Sequence, residues 1–303
     1  MQTDQTRQRC AVVALIGAPN AGKSTLVNQL TGTKVSIVTH KVQTTRARIR
    51  GIALEGDSQL VLVDTPGIFA PKRRLDRAMV EAAWGGARDA DMTVLLIDAA
   101  KGLDADTESI INGLPDISGG KILVFNKVDL VKKNALLELT AAVTDRVAFD
   151  ATFMISALKG DGVHDLRAYL AEHAPVGPWL YPEDQISDAP LRHLAAEITR
   201  EKLTLRLHQE LPYASTVETS LWKELKNGRI RIEQTVYVMR DSQKKIVLGK
   251  NGQTIKTISM EARKELSEIL EKPVDLFLFV KVRQKWGDDP ERYTEMGLEF
   301  PRD

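Results

Sequence analysis

Cysteine is nearly absent from this chain of 303 residues, in which Cys10 is the only one. A single thiol cannot form an internal disulfide or a thiolate metal cluster, so the chain suits a reducing cytoplasm. The five histidines are scattered and never have the spacing that places two imidazoles on one face of a helix. We therefore expect no structural zinc site.

Long apolar runs are also missing. No run approaches the ~20 residues that a membrane-spanning helix needs, and 42 Lys and Arg residues nearly balance 41 Asp and Glu residues. Arg7 and Arg9 ahead of the apolar stretch 10–16 resemble a short secretory signal. Cleavage there would damage the glycine loop that follows, so we interpret the stretch as a buried strand. The expected location is the cytoplasm, with membrane contact limited to the inner face of the cell membrane.

The length predicts about two domains, and prolines mark the place where they divide. Pro175, Pro178 and Pro182 disfavour regular helix and central strand over a short stretch. We divide the chain into a first domain at residues 1–178, a linker at residues 179–188 and a second domain at residues 189–303.

The first domain contains short apolar runs, each followed by loop residues and then by helix-compatible sequence. Such runs are typical of parallel strands that are buried on both faces. They lie at residues 11–16, 60–63, 94–97 and 122–125. The pattern predicts an α/β domain with a mostly parallel sheet and helices on both faces, which binds ligands at the carboxyl ends of its strands.

The second domain has a different order of elements. A helix capped by Asp188 is followed by two strands joined at Asn227-Gly228, two helices separated by a glycine loop, and a last strand. This order predicts an α+β domain. Residues 223–285 carry 15 basic and 8 acidic side chains, and residues 286–303 form an acidic tail. By itself this surplus indicates solvated faces of opposite charge more readily than an RNA surface.

The first chemical motif follows the first strand and opens a helix. Its residues are Gly17, Ala18, Pro19, Asn20, Ala21, Gly22, Lys23 and Ser24, followed by Thr25. Backbone N–H groups and the positive end of the helix can surround a polyphosphate there. Lys23 would neutralise the β and γ phosphates, and Ser24 would bind Mg²⁺.

A second motif directly follows the strand at 60–63 and consists of Asp64, Thr65, Pro66 and Gly67. Asp64 would hold a metal-bound water, and the Gly67 N–H would sense the γ-phosphate. A threonine in the polar stretch 34–48, which contains Gln43, would complete the Mg²⁺ shell only when the γ-phosphate is present. We assign this role to Thr44, with Thr45 as the alternative. The predicted catalytic residues are Lys23, Thr44 and Gly67.

The nucleotide base is predicted to bind after two later strands. The candidate residues are Asn126, Lys127 and Asp129, and then Ser156, Ala157 and Leu158. The Asp129 carboxylate can accept hydrogen bonds from both N1–H and the 2-amino group of guanine, whereas adenine would leave it unpaired. Lys127 would lie along the base, and the Ala157 N–H would bind the guanine O6. The predicted nucleotides are therefore GTP and GDP.

Together these residues resemble the translation-factor-like GTPases, and the order of both domains is similar to the Era family from about Cys10 to Phe300. The stretch 249–252, Gly-Lys-Asn-Gly, matches the Gly-x-x-Gly loop of a type II KH domain. The resemblance implies a P-loop GTPase domain followed by an RNA-binding KH domain. It also implies GTP hydrolysis, binding near the 3′ end of small-subunit ribosomal RNA, and a role in assembly of the small ribosomal subunit. We expect a monomer.

The glycine loop would let the backbone clamp about four nucleotides of single-stranded RNA, with Lys250 on phosphate. Ile246, Val247 and Ile255 would flank the bases, and nearby cations would add salt-dependent attraction. The candidate RNA-binding residues are Arg240, Lys244, Lys245, Ile246, Gly249, Lys250, Asn251, Gly252 and Lys256.

Ile68 occupies the position that carries a water-orienting glutamine in many GTPases. Because an aliphatic side chain cannot form that hydrogen bond, we predict slow hydrolysis without a partner. Similarity to GTPases that lack the glutamine implies that Asn20 helps to bind K⁺ beside the phosphates. GTP would order stretches 34–48 and 67–74 and so change the access of RNA to the second domain.

Three other interpretations stay open. A tRNA-modification GTPase would need a catalytic modification domain, which we do not find in the sequence. A plain RNA-binding protein would use the nucleotide domain only as a stabilising scaffold. A peripheral membrane GTPase would use Lys72, Arg73 and Arg74 to attract anionic lipid.

Overall fold

The computed structural model describes residues 8–41, 44–208, 211–284, 286 and 289–301. Arg7 of the signal-like stretch and Gln43 of the polar stretch lie outside these residues, as does part of the acidic tail. The chain forms two compact units. Within the described residues, no helix combines the length and the apolar content that crossing a membrane requires.

The first unit is built on a six-stranded sheet. Its strands are β1 (Arg9–Ile16), β2 (Ile49–Glu55), β3 (Ser58–Asp64), β4 (Met92–Asp98), β5 (Gly120–Asn126) and β6 (Ala151–Met154). They are arranged in the order β2-β3-β1-β4-β5-β6. Every neighbouring pair is parallel except β2 and β3, which are antiparallel. The mostly parallel sheet predicted from the apolar runs is confirmed, and β2 adds an antiparallel edge strand.

Helices cover both faces of this sheet. They are α1 (Lys23–Thr31), α2 (Arg74–Arg88), α3 (Ala105–Gly113), α4 (Lys133–Thr144) and α5 (Val163–Glu172). Val13 and Leu15 of β1 belong to one apolar cluster, and Ala14 and Ile16 belong to another. Because successive side chains of a strand point to opposite faces, β1 is buried on both sides. Its continuous apolar run follows from this double burial.

The second unit contains a three-stranded sheet and its helices. In chain order these are α6 (Leu191–Arg206), β7 (Ser215–Glu224), β8 (Ile230–Val238), α7 (Asp241–Leu248), α8 (Gln253–Ile269) and β9 (Val274–Val282). Strand β8 pairs antiparallel with β7 and parallel with β9. The predicted order of elements is confirmed, and a short helix α9 (Pro290–Glu295) follows.

The cap predicted for the first helix of this unit is wrong. Pro190 occupies the N-cap position of α6. The Asp188 carboxylate instead lies 3.3 Å from the backbone N of Arg50 and 3.2 Å from its guanidinium. The acidic group therefore pairs with a cation of the first unit's edge strand rather than with the helix.

The linker 179–188 clusters with the first unit. The fully buried side chain of Gln59 accepts hydrogen bonds from the backbone N–H groups of Leu180 and Tyr181, at 2.9 and 3.0 Å. Farther along, the Ile52 N–H of β2 donates to the carbonyl of Ile186 at 2.8 Å. These bonds hold the linker along the open edge of the sheet, which is why its residues belong to this unit.

Two further segments fall outside the predicted division. The stretch Ile37–Thr44 clusters with the second unit, and the chain from Thr294 onward clusters with the first. Leu298 of the tail is buried, and the guanidinium of Arg74 lies 5.1 Å from the centre of the Phe300 ring. Apolar burial and a cation–π contact thus attach the acidic tail to the unit that carries α2.

Candidate functional site

The glycine loop after β1 leads directly into α1, as the phosphate motif requires. Lys23 is the first residue of this helix and is buried. Its ammonium donates hydrogen bonds to the carbonyls of Gly17 and Ala18, at 2.9 and 3.0 Å. The loop therefore folds around a buried positive charge, beside the N–H groups of the helix start.

Burial lowers the pKa of Lys23 from 10.5 to about 8, although the charge of Asp64 counteracts this effect. Burial removes water from the ammonium, and the charge of Asp64 only partly offsets the free-energy cost of this desolvation. Nucleotide phosphates would favour the charged form and raise this pKa again. At a pH above about 8, binding should therefore take up a proton.

We expect GDP binding to take up more protons at pH 9 than at pH 7, because burial lowers the pKa of the free lysine to about 8. The affinity should weaken as pH rises above 8. Calorimetry at each pH, in two buffers with different ionisation enthalpies, measures the uptake. A binding enthalpy that is independent of the buffer at both pH values would contradict this assignment.

A cluster of oxygen atoms lies beside Lys23. The Ser24 hydroxyl donates to the Asp64 carboxylate at 2.7 Å and lies 2.9 Å from the Thr45 hydroxyl. The Thr45 hydroxyl in turn lies 3.3 Å from the same carboxylate oxygen. Burial raises the pKa of Asp64, while the bonds from Ser24 and the charge of Lys23 lower it. Hydroxyl and carboxylate oxygens are the ligands that Mg²⁺ prefers, so this donor set fits the metal.

Thr45, and not Thr44, reaches this cluster, which corrects the preferred assignment. The Thr44 hydroxyl instead lies 2.6 Å from the Thr39 hydroxyl and donates to the carbonyl of Lys41 at 2.7 Å. These local bonds hold Thr44 within the Ile37–Thr44 stretch, and Thr45 is buried in the first unit.

The loop after β3 is fastened to the glycine loop. The Ile68 N–H donates to the carbonyl of Gly17 at 3.1 Å, and Gly67 packs against Pro19. The Ile68 side chain is buried in the same apolar cluster as Ile16 and Ala18. This side chain thus stabilises the core and is not positioned to orient a water.

The residues predicted to bind the base are brought together at the carboxyl ends of β5 and β6. Asn126 donates to the carbonyl of Ala21 at 2.8 Å and accepts from the Ala157 N–H at 2.9 Å. One amide therefore joins the phosphate loop to the loop after β6. Leu158, the last of these residues, is 80% exposed.

The Asp129 carboxylate is held in its charged form. A hydrogen bond from Ser156, followed by contacts with Lys159, lowers its pKa. The Lys159 ammonium lies 3.2 Å from the carboxylate. An ionised carboxylate can only accept hydrogen bonds, which is the property that guanine N1–H and the 2-amino group require.

Sequence reasoning missed Asp98, which fixes the position of Lys127. The Asp98 carboxylate is buried and lies 2.6 Å from the Lys127 ammonium, which also donates to the carbonyl of Asn20 at 2.8 Å. Asp98 is the last residue of β4. A carboxylate at the ligand-binding end of a buried strand was the signal that could have identified it.

The second candidate site is the loop between α7 and α8. Gly249 has φ of 73°, and a Cβ at this position would overlap the Thr254 hydroxyl. Asn251 also has a left-handed backbone, with φ of 53°. Lys250 is exposed. The chain thus turns tightly at this loop, and the side chains of Lys250 and Asn251 are exposed there.

Most of the predicted RNA-binding side chains are accessible. Arg240, Lys245, Lys250, Asn251 and Lys256 are exposed, and Lys244 is half-buried. Ile246 is 54% exposed, but Val247 is fully buried in the core of the unit. Val247 therefore cannot flank a base, and the prediction that it does so is wrong.

Residues 12–127 match the family model described as 50S ribosome-binding GTPase, and residues 210–287 match that of the KH domain. The GTPase Era of Rhizobium meliloti (strain 1021) is 67% identical over 294 residues, which are 97% of this chain and 94% of that protein. The chain belongs to the Era family of GTPases.

Other relatives agree with the family. The GTPase Era of Brucella suis biovar 1 (strain 1330) is 66% identical over 300 residues, which are 99% of this chain and 96% of that protein. The crystal structure of Era in complex with MgGDPNP and nucleotides 1506–1542 of 16S ribosomal RNA has a TM-score of 0.91 and 37% identity, and covers 96% of this chain and 99% of that chain. A point variant of Aquifex aeolicus Era, solved bound to GDP·AlF4⁻, has the same values.

Family membership confirms the fold and the reaction predicted from the motifs. The protein is a GTP-hydrolysing enzyme of the Era family, and it uses GTP, GDP and Mg²⁺. When bound, Mg²⁺ would neutralise phosphate charge during hydrolysis, and Ser24, Thr45 and Asp64 are the residues that would hold it.

Proposed function

We propose that this chain is a GTP-dependent switch that binds small-subunit ribosomal RNA near its 3′ end and assists assembly of the small ribosomal subunit. The observation that carries the proposal is the clamp-shaped loop 249–252 with its exposed lysine and asparagine. A relative that matches this chain over 96% of its length has been solved with nucleotides 1506–1542 of 16S ribosomal RNA. This chain therefore contains counterparts of both domains of that relative.

Crosslinking to RNA in cells tests the proposed target. We expect reads to concentrate near the 3′ end of the small-subunit RNA for the wild type and to be lost for Gly249→Asp. Reads spread evenly over messages and tRNA would contradict the proposal. Such a result would favour the RNA-binding protein with a scaffold nucleotide domain.

The nucleotide-site roles extend this proposal to individual residues. The phosphate contacts are assigned to the loop 17–25 and to residues 64–67, and the base contacts to Asn126, Lys127, Asp129 and the stretch 156–158. Lys23, Thr45 and Gly67 are the catalytic residues, Thr45 taking the place of Thr44. The buried Ile68 leaves the attacking water without a side-chain partner at that position. Hydrolysis is therefore slow until a partner binds.

Nucleotide state reaches the second unit through the Ile37–Thr44 stretch, which contacts α6. The Val38 N–H donates to the Glu201 carboxylate at 2.8 Å, and the Lys41 ammonium donates to the carbonyls of Thr204, at 2.5 Å, and Leu207. Arg200 donates to the carbonyl of Thr44. The stretch thus binds the last turns of α6 through charged groups, which are the stronger hydrogen-bond partners.

Helix α6 is in turn fastened to α8, whose first residue follows the 249–252 loop. Lys202 pairs with Glu265, and the Arg206 guanidinium lies 3.0 Å from the Glu261 carboxylate. A shift of the Ile37–Thr44 stretch can therefore move α8 and the loop at its start. Each nucleotide state must bind RNA differently for this route to act as a switch.

Lys41→Ala should reduce the coupling between nucleotide and RNA. The variant loses two hydrogen bonds from a charged group to the end of α6. We expect the wild type to bind RNA about tenfold more tightly with a GTP analogue than with GDP. In the variant this ratio should fall to about one. Filter binding or fluorescence anisotropy measures both affinities. Lys133→Ala, at an exposed lysine of α4, is the control and should keep the wild-type ratio.

The proposal includes three finer points. Asn20, with its left-handed backbone beside Lys127, contributes to a K⁺ site, so hydrolysis is faster in potassium than in sodium.

The protein is a cytoplasmic monomer. Peripheral contact with anionic lipid through Lys72 and its neighbours is secondary, and flotation with phosphatidylglycerol vesicles tests it.

A further inference from the structure

Arg48 connects two parts of the nucleotide unit, the segment that carries Thr45 and helix α2. It follows the segment that carries Thr45, and its guanidinium Nε donates to the carbonyl of Ala82 in α2 at 2.7 Å. A guanidinium nitrogen also lies 3.4 Å from the Asp89 carboxylate at the end of that helix. Helix α2 follows the loop of Gly67. One side chain therefore joins the segment of Thr45 to the element that follows the γ-phosphate sensor.

The helix provides room for this side chain. Gly85 and Gly86 occupy consecutive positions in α2, although glycine is the least favourable helix residue apart from proline. A Cβ on Gly85 would overlap a guanidinium nitrogen of Arg48, and a Cβ on Gly86 would lie 3.6 Å from its Nε. The missing side chain at Gly85 thus leaves the space in which the guanidinium lies against the helix beside the carbonyl of Ala82.

We propose that Arg48 is a positioning residue that makes the Thr45 segment and α2 respond together to the γ-phosphate. The inference rests on the proposed role of Thr45 in the Mg²⁺ shell. When the γ-phosphate draws in Thr45 and the Gly67 N–H, Arg48 adds a bond between the two responding segments. The arrangement stabilises the GTP state, in which the γ-phosphate engages both segments, more than the GDP state, which offers no γ-phosphate to either.

Gly85→Ala distinguishes a positioning role of Arg48 from an effect on the stability of the fold. The added methyl group displaces the guanidinium, which can move into the adjoining open cavity of about 1160 Å³ that both residues line. The new alanine favours the helix, so the melting temperature should not fall. We expect the ratio of GTP-analogue affinity to GDP affinity to drop about tenfold, with GDP affinity itself nearly unchanged. Arg48→Ala should give the same drop.

A double-mutant cycle decides the inference. If Gly85 acts only through Arg48, adding Gly85→Ala to Arg48→Ala produces no further drop in the ratio. A full additional tenfold drop, or an unchanged ratio in both single variants, would overturn the proposal. Thr45→Ala tests the underlying role separately. An unchanged ratio in Thr45→Ala rejects the role of Thr45, whereas a drop there without one in Arg48→Ala rejects only the role of Arg48.

Discussion

Asp129→Asn should lower the affinity for GTP by about 10³-fold and create affinity for xanthosine triphosphate. The Asp129 carboxylate is ionised because Ser156 and Lys159 lower its pKa, so it offers two acceptor oxygens to guanine. An asparagine amide has one acceptor oxygen, and its NH₂ group would face the 2-amino group of the base. Sites built around such hydrogen bonds reject mismatched ligands by up to ~10⁵-fold. Xanthine carries a carbonyl at that position and restores the pairing.

Calorimetry with GTP, ATP and xanthosine triphosphate measures this change in selectivity. Asp145→Asn removes the same charge from an exposed residue at the end of α4 and should leave all three affinities unchanged. Retention of GTP affinity within tenfold in Asp129→Asn would contradict the assignment. Equal binding of ATP and GTP by the wild type would contradict it as well.

Replacing Lys250 and Asn251 together by aspartate should lower RNA affinity by about 100-fold or more. The double variant places two negative charges where the RNA backbone is expected to lie, and it removes one phosphate contact. Asn251 has a left-handed backbone, which aspartate also tolerates, and Gly249 and Gly252 are kept. The fold and GTP binding should therefore persist, and the salt dependence of RNA binding should decrease.

The chain offers a matched control for this experiment. Lys226-Asn227-Gly228 repeats the tripeptide Lys250-Asn251-Gly252 in the turn between β7 and β8. Gly228 and Gly252 have φ of 78° and 74°, so both tripeptides end in a left-handed glycine. An Asp-Asp-Gly turn still suits a hairpin. Lys226→Asp with Asn227→Asp should therefore reduce RNA affinity much less, and an equal loss in both variants would indicate only general repulsion.

Motifs that lie within one short segment could be predicted from the sequence. Lys23, Asp64 and Asn126 each follow or end a buried strand, and parallel strands bring their carboxyl ends to one edge of the sheet. Short continuous apolar runs therefore predicted these strands and the edge of the sheet at which a ligand is expected to bind. The Gly-x-x-Gly loop is a weak signal alone, but the predicted order of elements around it identified a KH domain, which the family match confirms.

Contacts between distant segments could not be predicted in the same way. Spacing alone does not distinguish Thr44 from Thr45, because the choice depends on bonds that Thr44 makes with Thr39 and Lys41. Asp188 has a typical capping residue type but finds a stronger partner in Arg50. The buried position of Val247 depends on how α7 packs against the sheet, which a run of eight helical residues does not reveal.

Control of RNA binding by the guanine nucleotide is tested most directly by one titration. A short RNA with the 3′-end sequence of the small-subunit ribosomal RNA is titrated with the wild type in the presence of a non-hydrolysable GTP analogue, of GDP, or of no nucleotide. We expect the tightest binding with the GTP analogue, by about tenfold over GDP, the ratio that a coupling of about 1.4 kcal/mol produces. Equal affinity in all three conditions would contradict the account.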